Sequence, residues 1–178
     1  VEKVRGRDDD GVDLAGAAVA GGRATIHDLK LGNIELREAD FRDIDVSEGP
    51  FDYIVAHGRY SWIPPDARDR LLAICRGLLA PHGVAYISYN TYPGWHMRGM
   101  IRDMMRYHAF RFDDPTQRLG QARALLDFLA KSTQKDSGAY GTLLRSESQL
   151  LRLQSDQYLY HEQLEDINDP VYFHQFMA

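Results

Sequence analysis

Apolar and polar positions alternate in short runs through the first half of this chain and recur at helical spacing through the second. Gly11-Val12-Asp13-Leu14 reads as a short strand ending in a carboxylate, and the alanine-rich run Ala15–Leu29 predicts a helix weakened by Gly16, Gly21 and Gly22. Ile34-Glu35-Leu36-Arg37 alternates as a second strand should, with Ala39-Asp40-Phe41 at its end. Phe51–Ala56 is a third. Pro64-Pro65-Asp66 then opens a helix, because proline suits the first turn and an acid suits the positive end of the helix dipole. Ala67, Leu71, Leu72, Cys75, Leu78 and Leu79 form its predicted buried stripe, Pro81-His82-Gly83 stops it, and 84–89 is the next strand. Strand and helix in alternation give the α/β class with a parallel sheet. Ligands bind such sheets where the strands end, which singles out the loops Ala56-His57-Gly58 and Asn90-Thr91-Tyr92-Pro93-Gly94.

After Gly94 the period changes. Trp95–Phe110 predicts a helix with a methionine-rich face, Asp113-Asp114-Pro115 a break, Leu119–Ala130 a second helix, Gly138–Gly141 a loop, and Thr142 to about Leu159 a third helix. The organisation expected is an irregular segment 1–10, an α/β domain 11–112 and an all-helical unit 113–178.

Composition narrows the function. Hydrophobic residues at 44% and charged residues at 26% fit a soluble globular protein, for which a cytoplasmic setting is expected. A net charge of −5 argues against general affinity for nucleic acid, and no apolar run reaches the length of a bilayer span. The single cysteine, Cys75, sits on an apolar helix face and reads as a structural thiol. His161-Glu162 and His174 lack the spacing of metal ligands and are assigned to a helical surface, so no metal is expected.

Four groups of residues could carry chemistry. Asp13 offers paired acceptors matched to a ribose diol, with a helix cap or turn acid as the competing reading. Asp40 could accept from an exocyclic amine while the Phe41 amide donates to a ring nitrogen, which together would recognise adenine. Tyr60 and Trp62, beside His57 and Gly58, could wall a cationic centre, or Trp62 could staple the following helix. Asn90 and Tyr92 supply an amide and an aromatic ring to a substrate rim, or else to a packed turn. No general base is evident.

These segments resemble one family. Gly-Val-Asp-Leu, Asn-Ile-Glu-Leu-Arg-Glu-Ala-Asp-Phe, Phe-Asp-Tyr-Ile-Val-Ala-His-Gly and Gly-Val-Ala-Tyr-Ile-Ser-Tyr-Asn-Thr-Tyr-Pro-Gly-Trp are similar to class I S-adenosylmethionine-dependent methyltransferases. The bacterial variety meant joins the catalytic domain to a methyltransferase regulatory domain, which Gln121–Leu129 and Tyr160–Met177 resemble. The linked blocks Asn-Thr-Tyr-Pro-Gly-Trp and Asn-Asp-Pro-Val-Tyr-Phe are more distinctive than any strand motif. The resemblance implies S-adenosyl-L-methionine as cofactor, with Asp13 on the ribose, Asp40 and Phe41 on adenine, and Ala56, His57 and Gly58 along the methionine portion. It implies a protein lysine as acceptor, with a small molecule as the alternative, and leaves the oligomeric state open. A non-catalytic interaction module retaining a methyltransferase remnant is the reading from another class. The family's first strand and glycine-rich loop would precede Gly11, where only Val1–Asp10 stands. The chain is therefore expected to be a piece of a longer enzyme that binds cofactor weakly by itself, with Gly11 and Phe51 strands either paired directly or separated by a gap.

Overall fold

The computed structural model describes residues 9–135 and 138–178, which form two compact units. Of the segment expected to be irregular, residues 1–8 lie outside the described residues, while Asp9 and Asp10 already belong to a strand.

The first unit takes the described residues up to Val55 together with Pro65–Tyr86. Strand β1 (Asp9–Asp13), helix α1 (Gly16–Asp28) and strand β2 (Ile34–Glu38) make a βαβ turn, in which β1 and β2 pair parallel from Asp9↔Ile34 to Asp13↔Glu38. Arg23 of α1 donates from Nε and Nη2 to the Leu36 carbonyl at 2.9 and 2.6 Å and so ties the crossover to β2. Strand β3 (Phe51–Ala56), helix α2 (Pro65–Leu78) and strand β4 (Leu79–Ile87) repeat the pattern. Gly83 lets the Phe51 carbonyl approach, since a Cβ there would lie 2.8 Å from that oxygen. Helix α2 opens at Pro65 with Asp66 in its first turn, and it buries Ala67, Leu71, Ile74, Cys75 and Leu78. Burial pushes the Cys75 thiol above its ordinary pKa, in keeping with a structural role.

Among the described residues β1–β2 and β3–β4 are separate two-stranded sheets. Direct pairing of the Gly11 and Phe51 strands is therefore not what these residues form. Alternation along β3 and β4 then leaves Tyr53 (63%), Val55 (67%), Val84 (54%) and Tyr86 (51%) mostly exposed, an apolar face with no helix on it among the described residues.

The second unit comprises Ala56–Pro64 and Ile87–Ala178. Its helices are α3 (Trp95–Ala109), α4 (Pro115–Ser132), α5 (Ala139–Arg152), α6 (Asp156–Leu159) and α7 (Phe173–Phe176), with a π-helical turn at Tyr160–Leu164. Ile101 and Met105 of α3, Ala122 and Leu126 of α4, Leu144 of α5 and Leu159 of α6 share one core. Because α3 packs into that core, the units divide at Tyr86/Ile87, whereas the sequence suggested residue 112. Pro81-His82-Gly83, expected to stop a helix ahead of a strand over 84–89, lies inside β4, which already starts at Leu79. Two further helix boundaries also differ from the sequence reading. Asp114 accepts the Gln117 N–H at 2.8 Å with Pro115 at the first helical position, so the expected breaker is a cap and α4 starts earlier. The expected helix from Thr142 to Leu159 instead begins at Ala139 and is split, because Ser155 caps a new turn by accepting from the Tyr158 N–H at 3.2 Å. No helix among the described residues is long and apolar enough to cross a membrane.

Candidate functional site

In the first unit the parallel register sets two acids at neighbouring strand ends. Asp13 closes β1 opposite Glu38, and Asp40 emerges two residues beyond Glu38, with the Ala39 N–H donating to the Asp13 carbonyl at 3.1 Å. Asp13 Oδ1 accepts the Ala15 N–H at 2.8 Å, so it also serves as the turn acid leading into α1. Asp40 caps the 3₁₀ turn Phe41–Asp43 by accepting the Arg42 N–H at 2.9 Å. The Arg42 guanidinium meets the same carboxylate through Nε and Nη2 at 2.8 and 2.5 Å. These bonds hold the Asp40 carboxyl below its usual pKa. Phe41 is half-buried and begins that turn, so its N–H has no acceptor within the turn.

The backbone after Asp40 is stiffened by a second cap. Asp45 accepts from the Ser47 N–H at 2.8 Å, and Glu48 reaches back to the Asp45 N–H at 2.9 Å, closing a capping box around Val46–Glu48. Arg37 bridges Glu48 (2.6 Å) and Asp10 (2.7 Å), which raises the arginine's pKa, first through the Asp10 hydrogen bond. Arg70 of α2 donates to the carbonyls of Arg42 and Ile44 at 3.0 and 2.7 Å.

In the second unit the loop after β3 faces the loop after β4. Ala56 is buried and its carbonyl accepts the Ser88 N–H at 3.3 Å. Gly58 adopts φ +65°, which favours glycine, and its N–H donates to Ser88 Oγ at 2.6 Å. His57 is exposed. Tyr60 is buried in an aromatic cluster, 5.1 Å from Phe176 and 5.8 Å from Tyr89 between ring centres. Trp62 stacks on His161 at 5.3 Å, and its indole N–H is buried without a hydrogen-bond partner among the described residues. Tyr92 stacks on His96 at 4.1 Å and lines a cleft of about 440 Å³ with Trp95, Gly99, Met100, Asp103 and Met104. Asn90 donates from Nδ2 to Asn168 Oδ1 at 2.9 Å.

The residues named from sequence thus fall into two sets, Asp13, Asp40 and Phe41 in one unit and Ala56, His57, Gly58, Tyr60, Trp62, Asn90 and Tyr92 in the other. Sequence reasoning missed Glu162 and corrects to a buried position for it: assigned to a helical surface, it is only 6% exposed. The π turn is the physical reason, since an extra residue in the turn rotates side chains away from the face that a 3.6-residue period gives. Burial raises the Glu162 pKa, with Arg98, Arg102 and an Asn90 hydrogen bond opposing it. His161 and His174 are exposed as expected. Among the described residues no three histidine, cysteine or acidic side chains cluster as metal ligands do.

Residues 4–83 match a family model described as a methyltransferase domain. An uncharacterized Rickettsia prowazekii protein, RP028, is 42% identical over 167 residues, spanning 94% of this chain and 67% of its own. A second from the same organism, RP789, is 43% identical over 167 residues, 94% of this chain and 30% of its own. The solved structure of PKMT2 from Rickettsia typhi in complex with AdoHcy superposes with a TM-score of 0.82 at 43% identity, covering 95% of this chain and 32% of that one. The chain thus spans about a third of the length of the solved protein it matches.

Proposed function

Because this chain belongs to the class I S-adenosylmethionine-dependent methyltransferases, we propose that it takes S-adenosyl-L-methionine at Asp13, Asp40 and Phe41 and serves methyl transfer to a protein lysine. The observation that carries this reading is the register of β1 and β2, with two acids at adjacent parallel strand ends. It is supported by the likeness to PKMT2, a protein lysine methyltransferase solved with AdoHcy.

The donor set fits an adenosine. A carboxylate at position 13 presents two acceptor oxygens to a vicinal diol. Asp40, kept ionised by Arg42, would accept from an exocyclic amine, while the Phe41 N–H would be offered to a ring nitrogen. When bound, the cofactor supplies a methyl group already activated by its sulfonium. The protein's task is to align an uncharged amine behind that methyl and exclude water. Within the second unit, Tyr60, Trp62, Asn90 and Tyr92 would form the acceptor rim. Desolvation at those aromatic rings would lower the pKa of an entering lysine ammonium, which gives its proton to solvent water before its lone pair is aligned with the methyl group.

Calorimetric titration with S-adenosylhomocysteine tests the cofactor half. Transfer of labelled methyl to a lysine-rich protein, set against small amines, tests the acceptor half. Binding without transfer to either acceptor would favour the interaction-module reading, and no binding in any form of the protein that carries Asp13 and Asp40 would sink the enzyme.

A further inference from the structure

The loop that follows β4 is anchored within its own unit by residues outside the site described above. Ser61, fully buried, accepts the Asn90 N–H at Oγ (2.8 Å), and its carbonyl accepts the Asp169 N–H (2.8 Å). The Asn90 carbonyl accepts from the Val171 N–H and the Val171 carbonyl from the Tyr92 N–H, both at 3.1 Å, so Thr91 and Val171 form a parallel bridge. Asn168 adds a side-chain tie. It accepts from Asn90 Nδ2 at 2.9 Å and donates from its own Nδ2 to the Glu162 carbonyl at 3.2 Å. The Asn90 amide also lies near enough to the Glu162 carboxyl to oppose the rise in its pKa.

Glu162 is the one buried acid among the described residues. It sits on the π turn, a distortion frequent at functional sites, and Arg98, Arg102 and Asn90 act on its carboxyl against the effect of burial. Three buried polar atoms without partners belong to the same neighbourhood: Trp62 Nε1, stacked on His161 beside Glu162, Arg102 Nε, and Gln163 Oε1. A core built only for stability would avoid that concentration of unpaired polar groups around a carboxylate.

We propose that Glu162 and Asn168 are positioning residues for the acceptor side of methyl transfer. They fix Asn90, and through it the backbone of the loop and the Tyr92 ring at the edge of the cleft. The inference rests on the proposed role of this loop as the acceptor rim.

Two measurements test it. In the 178-residue chain, Asn168→Ala is expected to speed amide hydrogen exchange at Asn90 and Tyr92 by about tenfold, leaving α4 unchanged. In turnover with a lysine-bearing protein, Asn168→Ala and Glu162→Ala should raise the acceptor KM or lower kcat about tenfold and keep S-adenosylhomocysteine affinity within about twofold. Glu162→Gln, which keeps an acceptor for Asn90, should recover most of the loss. A purely structural role would lower Tm and affect cofactor and acceptor alike. Unchanged exchange at Asn90 and Tyr92 overturns the proposal, as does an unaltered acceptor KM and kcat. A wild-type protein that transfers no methyl to lysine overturns the function proposed above instead, and the exchange measurement then decides this inference by itself.

Discussion

Arg42 grips Asp40 at two points, its guanidinium 2.5 and 2.8 Å from Oδ2 and its own backbone N–H 2.9 Å from Oδ1. The pairing is local, two residues apart, and it aims a carboxylate that β2 has just delivered to the strand end. An ionised oxygen keeps further lone pairs, so the same carboxylate can still receive an amine. Asp40→Asn puts an NH₂ where Arg42 and the amine both donate. S-adenosylhomocysteine affinity is expected to fall about tenfold or more, with a smaller loss for Arg42→Ala. Calorimetry decides, and equal affinity in Asp40→Asn would move adenine elsewhere.

Asp13 carries two tasks that substitutions can separate. Its turn bond to the Ala15 N–H stabilises the entry to α1, while its strand-end position suits the diol. Asp13→Asn retains an oxygen for Ala15 but loses one acceptor, so stability should hold while cofactor affinity drops about tenfold. Asp13→Ala should lose both. Paired thermal denaturation and titration would show whether the losses split in this way; parallel losses in the asparagine variant would leave only the turn role.

Acid should act oppositely on the two units. Asp40, Asp45 and Glu48 have folded pKa values lowered from 3.8, 3.8 and 4.5, chiefly through hydrogen bonds to Arg42, to Ser47, and to the Asp45 backbone. A lowered carboxyl pKa stabilises the fold above the unfolded value, and that contribution disappears as pH falls through the folded one. Glu162 is raised above 4.5 by burial, so its contribution is most favourable below 4.5 and is lost as pH climbs through its folded value. Amide exchange across pH 3 to 7 (about the range where carboxylates titrate) should show protection in β2 falling toward acid, and Glu162→Gln should remove the opposite trend near the π turn. The same direction of change in both units would contradict this account.

Much of the first unit could be read directly. Phe51–Ala56 was legible as a strand because it is a short run rich in aromatic and β-branched residues between flanking turn signals, and α2 because proline and aspartate mark its start. The S-adenosylmethionine-dependent family was legible too, from blocks around Asp13, Asp40 and Asn90. Glu162 was not, since a π turn leaves no mark in a 3.6-residue pattern. Nor was the tie between Asn90 and Asn168, which are far apart in sequence and join through side-chain amides that carry no period. The assignment of α3 to the helical unit also depends on tertiary packing of Ile101 and Met105, which periodicity records only as an apolar face.

That core gives a stability prediction. Met105 and Leu144 are 0% and 1% exposed and share the helical core. Met105→Ala or Leu144→Ala should cost about 2–5 kcal/mol, through lost transfer energy plus the cavity left behind. Leu153→Ala, at 84% exposure, should be nearly neutral. Urea unfolding followed in the helical unit would measure the contrast, and a near-neutral Met105→Ala would mean that the α3 packing is wrong.

The bare face of β3 and β4 gives the last prediction. Side chains two apart on a strand share a face, so Tyr53 and Val55 point one way, and Val84 and Tyr86 likewise on β4. All four are more than half exposed, and among the described residues each sheet is two strands wide. Contiguous apolar area of this kind binds hydrophobic dyes and other apolar surfaces, and short two-stranded sheets present unpaired edges that favour self-association. The 178-residue chain should therefore bind an anilinonaphthalene dye at neutral pH and sediment as a concentration-dependent mixture. Val55→Lys combined with Val84→Glu places opposite charges on neighbouring strands, where they attract each other while repelling apolar partners. Dye binding should fall by roughly half or more, since two of the four side chains are replaced. Far-ultraviolet dichroism should stay unchanged, because neither side chain is buried. Dye binding that persists at full strength in the double variant would show that this face is covered in solution.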